Sequence, residues 1–136
     1  MDRLEKLTKD FRSSLERLGE ALHRAETYRN TGEYSFYRDS AIQRFEFTFE
    51  IFWKSLKYFL EKEGIICRSP RSCIREFFTA GYLSEDEVRV LFQMIEDRNL
   101  TVHTYIEELA EEIFSHLSLY EKILQDILKK LEHTIP

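Results

Sequence analysis

Arg98 and His103 bracket a polar run, Met94-Ile95-Glu96-Asp97-Arg98-Asn99-Leu100-Thr101-Val102-His103-Thr104-Tyr105, whose residue types suit phosphodiester chemistry. An imidazole titrates near neutrality and moves a proton, while a guanidinium stays charged and stabilises a developing anion. In a continuous helix the two side chains would face about 140° apart, so they converge only if the chain turns a corner between them. Thr104, with Glu107 three residues on, reads as a capping box that restarts a helix, which predicts that corner. Asn99 adds a donor, and Tyr105, seven residues after Arg98, carries a hydroxyl toward the same side. The residues also suit a purely structural corner: Asp97 and Arg98 as an ion pair, Asn99 as a cap, His103 on a backbone carbonyl.

A second basic feature, Arg68, Arg71 and Arg75, flanks Ser69-Pro70, which has the residue types of a helix cap and first helical position. Arg71 and Arg75 share a face at i, i+4, and the positive end of the helix adds to them, an arrangement that suits a phosphate. A solvated face paired with Glu61, Glu63 or Glu76 is the plainer alternative. Metal chemistry is not supported. A di-iron bundle needs Glu-x-x-His on two helices, and Glu20-Ala21-Leu22-His23 is the single instance. His23, His116 and His133 read as solvated or half-buried surface residues, and no metal or cofactor is called for.

These side chains must be held by helices. From about Asp2 to Tyr28, Leu4, Leu7, Phe11, Leu15, Leu18, Leu22 and Ala25 recur at three or four residues, the period of one helix face. A second helix runs from Tyr37 or Asp39 to Glu63, a short one opens at Ser69-Pro70 and closes at Gly81, and Ser84 with Glu87 caps a fourth. The last carries Ile106, Ala110, Ile113, Leu117, Tyr120, Leu124, Ile127 and Leu131 in alternating steps of four and three. The fold class is therefore all-α: a single domain over residues 1–136, an antiparallel four-helix-type bundle with an extra short helix.

The second helix is apolar on two sides. Ile42, Phe45, Phe49, Phe52, Trp53, Leu56, Phe59 and Leu60 form a broad face, and Phe47, Ile51 and Tyr58 a second strip. Gln43, Glu46, Glu50, Lys54 and Lys57 are left a polar stripe only about 80° wide. Burial on two sides predicts a homodimer with Phe47, Ile51 and Tyr58 at its interface. The alternative is that Phe47 and Tyr58 pack under the aromatic segment Thr31 to Tyr37.

Composition agrees with helices. Four Gly and two Pro in 136 residues leave almost nothing for the turns of a β-fold, and isolated glycines exclude a Gly-rich phosphate loop. A formal charge of −5 argues against a general polyanion binder. Cys67 and Cys73 match neither a zinc ribbon nor a CxxC motif and are expected to be ordinary reduced cysteines. The charged N-terminus and the lack of any membrane-length apolar stretch predict a cytoplasmic protein.

The run Gln43-Arg44-Phe45-Glu46-Phe47-Thr48-Phe49-Glu50 with Trp53-Lys54 and Leu56-Lys57, then Ser69-Pro70-Arg71, Ile74-Arg75-Glu76, Ala80-Gly81 and above all Glu96 to Tyr105, closely resembles the nucleotidyltransferase substrate-binding family. Those are small helical bundles of the HEPN superfamily. The resemblance implies a homodimer that partners a minimal nucleotidyltransferase in a two-component, toxin–antitoxin-like system. It also implies a cleft near the dimer interface for nucleotide or RNA, lined by Glu46, Glu50, Lys54 and the Arg98 to Tyr105 corner. The superfamily signature of Arg, a polar residue, others, then His is met by Arg98, Asn99 and His103, with Tyr105 as the trailing Tyr. Carried over, His103 is the general acid or base, Arg98 the anion stabiliser and Tyr105 a possible site of nucleotide addition. Two further readings stay open: a metal-independent HEPN ribonuclease using Arg98 and His103, and a purely structural dimer.

Overall fold

The computed structural model of the chain describes residues 2–134, and among these there are five α-helices and no strand. Helix α1 spans Arg3–Thr27, α2 Tyr34–Lys62, α3 Pro70–Thr79, α4 Glu85–Leu100 and α5 Glu107–Thr134, with a 3-10 turn at Thr101–His103 between the last two. Asp2 caps α1 by accepting from the Glu5 N–H at 2.8 Å. Ser69 and Ser84 cap α3 and α4, each in a reciprocal box with the residue three positions on.

Helices α1 and α2 run antiparallel, since the Asp2 carboxylate pairs with Lys62 and Thr48 Oγ1 lies 3.3 Å from the Ser14 carbonyl. Helix α5 runs back along α1: Arg12 meets Glu132 at one end and Arg29 meets Glu111 at the other. Helix α2 touches each of the other four. That explains its broad apolar face: Phe52 and Phe11 are 5.9 Å apart toward α1, Phe45 and Tyr120 5.6 Å apart toward α5, and Phe59 and Phe77 5.7 Å apart toward α3. Tilted and stacked pairs at such distances contribute beyond the area they bury.

The sequence expectations need three corrections. Helix α2 begins at Tyr34, because the ring of Tyr34 sits edge-on to Phe114 and its hydroxyl donates to Glu111. The box at Thr104 does not form: Thr104 Oγ1 donates back to the Thr101 carbonyl at 3.1 Å, and α5 starts three residues later. Cys67 and Cys73 are not reduced but joined in a disulfide with Cα atoms 5.1 Å apart. Cys67 stands two residues before the Ser69 cap and Cys73 in the first turn of α3, so the cap folds one back over the other.

Candidate functional site

The chain from Arg98 to Glu107 forms the predicted corner, wedged against the N-terminal half of α2. Its inner side is fixed by two buried polar groups. The Asp97 carboxylate accepts from the Tyr120 hydroxyl and lies 2.8 Å from His116 Nδ1, tying the last turn of α4 to α5. A carboxylate only accepts, so His116 carries its hydrogen on Nδ1. Burial, and then this bond, push the Tyr120 hydroxyl well above the ordinary phenol range. On the other flank Arg38, only 3% exposed, donates from Nη1 to Glu107 at 2.8 Å and from Nε to Asp39 at 3.1 Å. Burial works against the Arg38 charge, but the bonds to Glu107 and Asp39 prevail and hold it above its ordinary range. In turn Arg38 holds the Glu107 carboxyl below the usual carboxylate range. Tyr34, half-buried and bonded to Glu111, is raised to about 12.

Arg98 and His103 enter two separate pairs. Arg98 Nη1 lies 3.6 Å from Glu46 Oε2 and 3.3 Å from Thr101 Oγ1, while its Nε is buried with no partner among the described residues. Its side chain is 27% exposed, half open to a ligand. His103 Nδ1 lies 3.2 Å from the Tyr105 hydroxyl, with the rings edge to face, leaving Nε2 free in an exposed imidazole. Asn99 is exposed and makes no side-chain hydrogen bond among the described residues. Val102, at 67%, and Tyr105, at 76%, stand in solvent with Leu100 and Ile106 beside them.

Glu46 thus joins the corner, whereas Glu50 and Lys54 do not reach it. They pair with each other at 4.0 Å, and Trp53 Nε1 donates to Glu50. Arg71 and Arg75 share a face as expected. Both guanidinium groups lie over the Phe92 ring, at 4.5 and 5.7 Å, and Arg71 donates to Glu96 on α4 rather than to Glu61, Glu63 or Glu76. Of the strip expected to face a second copy, Phe47 is 49% exposed, but Ile51 and Tyr58 are half buried against the core, Tyr58 beneath the Arg3 guanidinium at 4.7 Å. Tyr58 therefore packs beside the start of α1 and not under the Thr31 to Tyr37 segment, where Tyr37 stacks on Tyr28.

Sequence reasoning missed Asp97, His116 and Arg38 as organisers of the corner. The signal was there: Arg38 projects into the apolar sector of α2 between Ile42 and Ala41, and His116 and Tyr120 stand at i, i+4 on the inner side of α5. A charged or polar residue on an apolar face needs a buried partner.

The chain is similar to known proteins. The family described as nucleotidyltransferase substrate binding protein like matches residues 6–133. A solved structure from Thermus thermophilus is 41% identical, superposes with a TM-score of 0.71, and is matched over 84% of this chain and 98% of that one. No curated protein matches. Among the described residues no helix is long and apolar enough to cross a membrane.

Proposed function

The chain belongs to the nucleotidyltransferase substrate-binding-like family, and from that premise we propose that it is a binding and regulatory subunit that docks a minimal nucleotidyltransferase through the Arg98 to Tyr105 corner. The observation that carries this reading is the corner's surface. It exposes Val102 and Tyr105 beside a half-open guanidinium and a free imidazole nitrogen, the mixture of apolar anchor and polar group that a partner covers. Arg98, Asn99 and His103 engage the phosphate of a bound nucleotide or RNA, Tyr105 is in reach of modification, and Arg71 and Arg75 extend the cationic surface along α4. A homodimer of HEPN type forms across the open face of α2, with Phe47 as its exposed apolar anchor. The protein acts in the cytoplasm, where burial of both sulfurs shields the disulfide from small thiols.

Co-expression with the adjacently encoded nucleotidyltransferase tests the reading. The wild type should co-purify and Val102→Asp should not, although Val102 is exposed and its replacement leaves the unfolding midpoint unchanged. Retention of the complex by Val102→Asp would sink the docking surface.

The His103–Tyr105 pair favours a second reading, a metal-independent ribonuclease. The 2′-hydroxyl of RNA attacks the adjacent phosphorus, His103 takes or gives the proton, the 5′-oxygen leaves, and Arg98 stabilises the extra negative charge. Growth arrest lost in His103→Ala supports it, and absence of RNA cleavage between about pH 5 and 8 removes it.

A further inference from the structure

A groove of about 410 Å³ lies between α1 and α2, away from the corner, and three arginines line it: Arg17, Arg24 and Arg44. Six of the chain's arginines, Arg12, Arg29, Arg38, Arg71, Arg89 and Arg98, have a carboxylate within 4.0 Å. Arg17, Arg24 and Arg44 have none among the described residues, like Arg3, Arg68 and Arg75, but they alone of these share one groove, which Glu16 and Glu20 also line. Arg24 complements the C-terminal end of α1. Arg17 and Arg44 sit mid-helix and have no such explanation. Three guanidinium groups against two carboxylates leave the groove with an excess positive charge, and a phosphate accepts the paired N–H groups of a guanidinium in a matching geometry.

The rest of the lining narrows the ligand. Ser13 and Ser40 supply hydroxyls, and Glu16 and Glu20 supply acceptors that suit hydroxyl groups on a ligand rather than its phosphate. The volume is that of a small-molecule site and not of an extended strand. Arg44 belongs to the same helix as Glu46, yet projects about 160° away from it, so the groove and the corner flank opposite sides of α2's open face.

We infer that the α1–α2 groove binds a small phosphate ester carrying free hydroxyls, a nucleotide or a sugar phosphate, with Arg17, Arg24 and Arg44 on the phosphate and Glu16 and Glu20 on the hydroxyls. The site is independent of the corner and of what docks there.

Calorimetric titration of the full chain with ADP and, separately, with ribose 5-phosphate distinguishes the two sources. Saturable binding of at least one is expected, weakened about tenfold or more in the Arg17→Gln/Arg24→Gln double variant and in Arg44→Gln, and unchanged in Arg89→Gln, an exposed arginine of α4 that belongs to neither the groove nor the corner. The exposed double variant should remain fully helical by circular dichroism at the titration temperature, so loss of binding there is not loss of fold. Binding that survives the double variant, as binding at the corner would, binding weakened equally by Arg89→Gln, no binding of either ligand, or binding of a single-stranded oligonucleotide with neither small ligand would each overturn the assignment.

Discussion

The Asp97 carboxylate lies 2.8 Å from His116 Nδ1, and this contact, one residue before Arg98, fixes where α4 ends against α5. The second donor to the same carboxylate is the fully buried Tyr120. Tyr120→Phe leaves a buried carboxylate short of one hydrogen bond while preserving the ring stacked on Phe45. A loss of about 1–3 kcal/mol is expected, read as a lower urea midpoint at unchanged slope; a midpoint within error of wild type would show that Tyr120 serves packing alone.

Arg38→Lys tests the other flank. Its partners Glu107 and Asp39 are largely exposed and can return to water, so the cost falls on Arg38 itself, which is buried and forked between them. A lysine offers one point charge in place of two diverging N–H directions. A loss of about 1–3 kcal/mol is expected, with disturbed amide resonances at Glu107 and the preceding corner. Unchanged corner resonances would remove Arg38 as their organiser.

Glu46 competes with any anion for Arg98, at 3.6 Å. Glu46→Gln removes that competitor. In NMR titrations with AMP, the shifts of Thr101 to Tyr105 should saturate at about tenfold lower concentration in the variant. Equal or weaker affinity would mean that Arg98 does not contact the ligand.

Glu121 lies over Gly19, where a Cβ would come within 2.5 Å of its carboxyl oxygen, and burial raises its carboxyl above the ordinary 4.5. A folded-state value above the unfolded one means that the group's contribution is full below 4.5 and is lost as pH rises through the raised value. At neutral pH the ionised Glu121 therefore weakens the fold. Glu121→Gln should be more stable than wild type at pH 7 and should lack this decline; thermal unfolding from acid to neutral pH measures both, and a parallel profile in the two proteins would count against it.

The Cys67–Cys73 bridge makes a chemical prediction. Protein unfolded without reductant should show no thiol to an aromatic disulfide reagent, and two after dithiol treatment. Closing so short a loop stabilises by about 2 kcal/mol in the chain-entropy account, so reduction should lower the unfolding midpoint. Two reactive thiols before reduction would contradict the bridge.

The helices were legible because their apolar residues follow a 3.6-residue period and their starts carry caps, as at Ser69 and Ser84. The corner was legible too, though for an incorrect reason. Thr104 resembles a cap, yet its hydroxyl is captured by the Thr101 carbonyl, and a 3-10 turn makes the bend. Pairings across helices were not legible: nothing in the spacing of Asp97 and His116, or of Arg98 and Glu46, says that they meet, because those contacts depend on how three helices are rotated against one another. Exposure was misjudged for the same reason. Ile51 and Tyr58 look free on a helical projection, but both pack partly against the core, Tyr58 beneath Arg3 of α1.

The place of α2, second in the chain and in touch with all four other helices, also orders events during synthesis. The α1–α2 hairpin pairs segments close in sequence and needs only a short loop closed, so it has the entropic advantage. Its faces toward α3, α4 and α5 nevertheless remain open until the last helix arrives, with buried positions reaching to Leu131. The nascent hairpin thus carries Phe45 and Phe49 uncovered while most of the chain is still being made, the sort of surface that chaperones hold. The corner cannot be set until α5 docks, so a partner recognising it meets only finished chains.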